Sequence, residues 1–365
     1  MTDSENQAPA EAEQHVLAEV EGHAGRLTLN RPRALNSLTH GMVMGMHAAL
    51  DAWERDPSVR TVVLTGAGER GLCAGGDIRA IHEDVRAGTG GAASAAFWRD
   101  EYRLNARIAR CPKPYVAVMD GIVMGGGVGV SAHAGIRLVT ERSRVAMPET
   151  GIGFVPDVGG THLLARAPGE LGTHLALTGD QAGAADALLC GLADHFVPSD
   201  ALPDLLRDLA DTPAREAVER YAREAPSGGE LAEAREWIDS CYAADTVEEI
   251  VERLRADGSR GAKEAAGTLE SRSPLALKAT LAALRRARRL DGLERVLEQE
   301  YRVSCAFLAQ PDFAEGVRAQ LIDKDRDPKW NPATLGAVSD AEVEGFFAPL
   351  GDGELRLDAP PEGAA

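Results

Sequence analysis

Three short stretches carry residue types that could hold and transform a small ligand. The first is Gly71-Leu72-Cys73-Ala74-Gly75-Gly76-Asp77-Ile78-Arg79. Its small residues let a ligand approach the main chain, and a strand running into a helix start leaves free N–H groups pointing outward. The second is Met119-Asp120-Gly121-Ile122-Val123-Met124-Gly125-Gly126-Gly127-Val128-Gly129. Consecutive glycines after a strand and before a helix expose backbone donors where the helix dipole favours negative charge. The third runs from Met147 to Gly160 and holds two carboxylates, Glu149 and Asp157, on a loop punctuated by proline and glycine. A carboxylate partly removed from water has its pKa raised, which suits proton transfer near neutral pH.

Each stretch also has a purely structural reading: a tight turn, a close helix–strand contact, a turn carboxylate at Glu149, and an N-cap at Asp157 for the helix after Gly160. Other chemistries fail on spacing. A P-loop starting at Gly66 would need Lys and Ser or Thr where Leu72 and Cys73 stand. A dinucleotide fingerprint read from Gly125 and Gly127 meets Val130 at its third glycine. No G-x-S-x-G elbow occurs to support a serine triad. His133 reads as a packed residue, His162 as a neighbour of the acidic loop, and Cys73 as a small packed side chain.

The elements that must position these stretches follow from the patterning. Val16–Val20 and Arg26–Leu29 alternate across a glycine turn and predict a hairpin. Apolar residues from Thr39 to Trp53 recur at helical spacing, with Thr39 as N-cap. Thr61–Thr65 and Tyr115–Met119 predict buried strands, and Ile136–Thr140 with Arg144–Met147 predicts a third strand pair. Helices are expected from about Asp77 and over Ser94–Ala109. After Val197 the strand signal gives way to Ala, Leu, Glu and Arg at helical spacing, with breaks at Pro226–Gly229 and Ser271–Pro274. The expected organisation is a polar leader over 1–13, an α/β core over 14–199, a helical region over 200–345 and an acidic tail over 346–365.

Composition narrows the function classes. The chain has 365 residues, 44% of them hydrophobic and 26% charged, with a formal net charge of −18. That charge argues against nucleic acid, although Arg285, Arg286, Arg288 and Arg289 cluster on what reads as a solvated helix face. Cys73, Cys111, Cys190, Cys241 and Cys305 are scattered and form no C-x-x-C pair, which argues against a disulfide framework or a zinc site. A soluble cytoplasmic protein is the expectation, with no signal peptide or plain transmembrane span.

Taken together, the three stretches and the opening Leu29-Asn30-Arg31-Pro32-Arg33-Ala34-Leu35-Asn36 resemble the crotonase (enoyl-CoA hydratase/isomerase) superfamily over about Val16–Val197. The resemblance implies a spiral of repeated β–β–α turns followed by an all-helical region. It also implies an acyl-CoA substrate whose thioester oxygen is held by the backbone N–H groups of Gly76 and Gly126. Preorganised donors of this kind contribute about 3–4 kcal/mol each. Hydratases of the superfamily have two catalytic glutamates; here one falls on Glu149 and the other on Gly129, which has no side chain.

The segments Met124–His133, Met147–Thr150, Phe154–Gly160 and Leu321–Trp330 are similar to the 3-hydroxyisobutyryl-CoA hydrolase branch. That likeness implies substrate contacts at Glu101, Gly126, Glu149 and Asp157. Glu149 would attack the thioester or activate water, and Asp157 would bind the β-hydroxyl and assist proton transfer. Glu101, taken alone, reads as a solvated helix-face residue. Arg79, Lys324 and Lys329 are the candidates for contact with coenzyme A. No metal or redox cofactor is implied, and the oligomeric state stays open. The alternatives are an enoyl- or dienoyl-CoA isomerase and a non-catalytic acyl-CoA-binding protein.

Overall fold

The computed structural model describes residues 14–88 and 90–357, so the leader expected over 1–13 lies outside the described residues. The chain opens with an antiparallel hairpin of β1 (Val16–Glu21) and β2 (Ala24–Leu29), in which Val16 faces Leu29. Helix α1 (His40–Arg55) follows, and Thr39 Oγ1 accepts the Met42 N–H at its start. Three strand pairs come next: β3 (Thr61–Gly66) with β4 (Gly71–Cys73), β5 (Tyr115–Met119) with β6 (Ile122–Met124), and β7 (Ile136–Val139) with β8 (Arg144–Ala146).

Within each pair the first strand joins one sheet and the second joins another. The larger sheet has the order β1-β2-β3-β5-β7-β9, closed by β9 (His195–Phe196), and the smaller has the order β4-β6-β8. Apart from β1–β2, all these strand pairs are parallel. The expected third strand pair is therefore two strands in separate sheets. A parallel neighbour requires a crossover, so each strand finds its partner one turn of the spiral away. The crossovers carry α2 (Ile78–Arg86), α3 (Ala92–Ala109) and α4 (Gly126–Ser131); α5 (Gly160–Leu164) begins the return towards β9.

From Leu202 to Val317 the chain is built of helices, among them Arg260–Ser271, Pro274–Ala287 and Gly292–Phe307. They do not form a separate core. Leu27 and Tyr115 from the spiral share one apolar cluster with Leu277, Tyr301 and Phe307 from the helices. The first part of the acidic tail expected from residue 346 packs on the core instead. Phe346, Phe347, Leu355 and Leu357 are buried, and the Phe346 ring lies 4.5 Å from that of Phe307. Glu354 accepts from Arg302 Nε at 3.0 Å. Four apolar side chains among the acidic residues hold this segment on the core; residues 358–365 of the expected tail lie outside the described residues.

Candidate active site

The opening Leu29–Asn36 stretch fixes the first glycine loop. Asn36 is buried; its Nδ2 donates to Ala67 O at 3.0 Å and Gly71 O at 3.2 Å, while its Oδ1 accepts the Arg31 N–H at 2.9 Å. Leu38 N donates to Gly75 O, and Asp77 N donates to Leu38 O, both at 2.8 Å. Because neighbouring groups along an extended chain point in opposite directions, these two bonds turn the intervening Gly76 N–H the other way.

The second loop supplies a matching donor. Val128 N and Gly129 N both donate to Gly125 O, which leaves the first N–H of α4, that of Gly126, without an intrahelical acceptor. Gly125 enters the helix at φ +48°, and a Cβ there would lie 2.8 Å from Glu149 Oε1. A Cβ on Gly126 would lie 2.6 Å from Glu101 Oε1 and 3.3 Å from Gly76 N. Two backbone donors and two glutamates thus meet around a space that only glycine leaves open.

That space belongs to a cavity of about 310 Å3 lined by Gly76, Gly126, Glu101, Glu149 and Asp157 together. Its apolar wall includes Phe97, Trp98 and Phe154, with Trp98 and Phe154 stacked at 5.3 Å. The three carboxylates are nearly dry: Glu101 is 2%, Glu149 7% and Asp157 6% exposed. Asp157 Oδ2 accepts from Tyr102 OH at 2.7 Å, whereas Glu101 Oε1 and Glu149 Oε2 have no hydrogen-bond partner among the described residues. Burial, and then the charge of Asp157, push the Glu101 carboxyl well above the usual carboxylate range. Burial acts in the same way on Glu149, followed by the charges of Asp157, Glu300 and Glu101. Burial pushes Asp157 up to about 7, against the opposing hydrogen bond from Tyr102. Such surroundings favour the protonated form of all three carboxyls, and the set presents unpaired carboxyl oxygens to a ligand.

Several single-residue expectations change in context. Glu101 is not on a solvated face: it shares a buried side of α3 with Phe97, Trp98 and Asn105, which line up at helical spacing. Asp157 does not cap α5 through its side chain; Gly159 is the N-cap residue, and the Asp157 carboxylate faces Tyr102 instead. Among the basic residues considered for coenzyme A, Arg79 is exposed and its Nη2 donates at 3.2 Å to Leu321 O, a residue of the cavity wall. Lys324 is exposed and does not line the cavity, and Lys329 Nζ pairs with Asp327 at 2.5 Å. Asp327 thus gives Lys329 a near anion. Burial raises the Cys73 thiol to about 12 and lowers His133 to about 4, so neither suits proton transfer at neutral pH.

The sequence reading missed three groups. Tyr102 and Ser304 tie Asp157 to the C-terminal helices, their hydroxyls lying 2.8 Å apart. Arg272 lines the cavity; its Nη2 donates to Thr178 O at 2.6 Å and its Nε is buried without a partner among the described residues. Glu300 is buried behind the Asp157 loop. Its one sequence signal is position, since it stands on the apolar stripe formed by Leu293, Val296, Leu297, Val303 and Phe307.

At the position of Gly129, a Cβ would lie 2.6 Å from Val158 Cβ and 2.9 Å from Asn105 Nδ2. There is no room for a second glutamate on that turn of α4.

A family model described as enoyl-CoA hydratase/isomerase matches residues 24–347. The chain is 44% identical over 352 residues to "3-hydroxyisobutyryl-CoA hydrolase, mitochondrial" of Gallus gallus, covering 94% of this chain and 91% of that one. Among solved structures, a carnitinyl-CoA dehydratase from Mycobacterium thermoresistibile is 55% identical with a TM-score of 0.91, covering 95% of this chain and 100% of that one. An enoyl-CoA hydratase from Rhodobacter sphaeroides is 46% identical with a TM-score of 0.89, covering 94% and 99%. With its alternating strand pairs, its two glycine loops and matches of this extent, the chain belongs to the enoyl-CoA hydratase/isomerase (crotonase) family.

Proposed function

We propose that the protein is a thioester hydrolase that converts 3-hydroxyisobutyryl-CoA, or a similar short 3-hydroxyacyl-CoA, to coenzyme A and the free 3-hydroxy acid. The observation that carries this reading is the meeting of the Gly76 and Gly126 donors with Glu149 and Asp157 in one cavity. The name of the Gallus gallus relative points the same way. The solved relatives are titled a dehydratase and a hydratase. For the water addition described for hydratases, the second glutamate is missing at Gly129, and Val158 and Asn105 occupy its space. One feature favours alkene chemistry as the second reading: Glu101 places another acid beside Gly126.

In the proposed reaction the thioester oxygen accepts from the Gly76 and Gly126 N–H groups, which stabilise the negative charge that develops there. Ionised Glu149 either attacks the carbonyl carbon or takes a proton from a water that does. The tetrahedral intermediate expels the coenzyme A thiolate, which takes up a proton. By the first route water then cleaves the glutamyl anhydride; by the second the acid forms directly. Asp157, with its pKa raised to about 7, can hold the β-hydroxyl and pass a proton to the leaving thiolate. These groups suffice for the reaction, so the reading adds no cofactor beyond the coenzyme A portion of the substrate. A cytosolic location is part of this proposal and is supported by the scattered, unpaired cysteines, whereas the Gallus gallus relative is named as mitochondrial.

A pH profile tests the role of Glu149. The group must be ionised to act, and its surroundings favour the neutral form. Hydrolysis is therefore expected to rise with pH along a limb whose midpoint lies well above the ~4.3 of an unperturbed glutamate. The measurement is thiol release from 3-hydroxyisobutyryl-CoA across that limb. A midpoint in the ordinary glutamate range would contradict a buried Glu149 as the working group.

A further inference from the structure

The Asp157 loop is gripped from behind by a carboxylate to which the proposed reaction gives no role. Glu300 is 1% exposed in the helix Gly292–Phe307 and does not line the cavity. Its Oε2 accepts the Gly159 N–H at 2.6 Å. Its Oε1 accepts the Thr161 N–H at 2.9 Å and the Thr161 hydroxyl at 2.6 Å. Three donors in a dry setting thus converge on one side chain, and its removal would leave all three unpaired.

Between this clamp and the cavity, the backbone is in an uncommon conformation. Val158 has φ +52°, a region that β-branched residues rarely enter. Its carbonyl accepts from His133 Nε2 at 2.8 Å, so that nitrogen carries the proton. The Val158 side chain fills the space beside Gly129, and Asp157, one residue earlier, faces the cavity. The same helix also holds the Asp157 carboxylate: Ser304, one turn beyond Glu300, contacts the Tyr102 hydroxyl that donates to Asp157. A strained turn persists only where its surroundings over-determine it. Here the determining contacts come from Glu300 on one side and His133 on the other.

Resting on the hydrolase reading, we infer that Glu300 is a positioning residue for the reaction, holding the Asp157–Val158–Gly159 turn so that Asp157 meets the substrate. It acts through Asp157 and makes no contact with the cavity. Its loss should therefore lower turnover more than binding. The helical region thereby contributes to the chemistry of the spiral.

The test compares wild type, Glu300→Gln, Asp157→Asn and the double variant. It reads kcat and KM for thiol release and amide hydrogen exchange over residues 155–162. In Glu300→Gln the kcat is expected to fall about tenfold to a hundredfold, the cost of a small misplacement, with KM nearly unchanged. Exchange over 155–162 should quicken while the strands keep their protection. In the Asp157→Asn background the further loss should be under about threefold, because the two residues act as a unit. Thr161→Val, which removes only one of the three donors, should show the same pattern more weakly and serves if Glu300→Gln does not fold. Full kcat in a folded Glu300→Gln, or an equal loss in both backgrounds, would overturn the positioning role. If wild type releases no thiol from short 3-hydroxyacyl-CoAs, the hydrolase reading fails and takes the kinetic role with it. Unchanged exchange over 155–162 would separately refute the clamp.

Discussion

Glu149→Gln is expected to fold normally and to release thiol from 3-hydroxyisobutyryl-CoA about a thousandfold more slowly than wild type, within the 10²–10⁴ range of a lost general base. The substitution keeps the size of the side chain and removes only its ability to ionise. Burial and neighbouring carboxylates already press Glu149 towards its neutral form. A neutral amide should therefore cost the fold little, and the melting temperature should stay close to that of wild type. KM should change less than kcat, because the carboxylate acts on the carbonyl carbon or on water and leaves the coenzyme untouched. Steady-state thiol release beside a thermal melt checks both parts. Near-normal turnover in the folded variant would remove Glu149 from the centre of the account.

The second large effect is expected at Gly126. An alanine there keeps the backbone N–H but places a methyl 3.3 Å from Gly76 N, 3.2 Å from Leu38 Cδ1 and 2.6 Å from Glu101 Oε1. Glu101 is a side-chain tip that can turn aside, whereas Gly76 N belongs to the backbone. The methyl thus occupies the gap in which a thioester oxygen would bridge the two donors. Loss of one such donor lowers kcat by about 10²–10³. Gly76→Ala is the informative contrast, since its methyl would only meet the Phe97 ring at 3.4 Å. Kinetics of the two variants should show the greater loss in Gly126→Ala. Equal and small effects would mean that no oxygen binds between these loops.

Much of this site was legible because its parts are local. Glycines between a strand and a helix expose N–H groups whatever surrounds them, so Gly76 and Gly126 could be singled out from their own loops. The Leu29–Asn36 stretch was legible as a pattern, but its task was not: Asn36 braces Ala67 and Gly71, more than thirty residues away. Glu101, which the resemblance implied as a substrate contact, reads as solvated on its own spacing, because that spacing does not tell which face of α3 meets the cavity. Tyr102, Arg272 and Glu300 escaped notice for a related reason. Their partners lie across long chain separations: Tyr102 meets Asp157 within the spiral, and the packing of the helical region against it brings Arg272 to Thr178 and Glu300 to Gly159 and Thr161. Lys329 illustrates the opposite case. A basic residue in an acidic stretch has close anions, and Lys329 takes Asp327.

The same limit applied to the fold. Strand positions followed from β-branched runs, but the separation of β7 and β8 into different sheets depends on partners one spiral turn away. The tail was read from its charge, while Phe346, Phe347, Leu355 and Leu357 decide where it packs.

The most direct test of the central claim is to offer wild-type protein 3-hydroxyisobutyryl-CoA and the corresponding enoyl-CoA in parallel, following free thiol and enoyl absorbance together. Rapid thiol release from the hydroxyacyl thioester is expected, with a free 3-hydroxy acid as co-product and no interconversion of the two thioesters. Interconversion without thiol release would contradict it and assign the cavity to alkene chemistry, with Glu101 as the second acid.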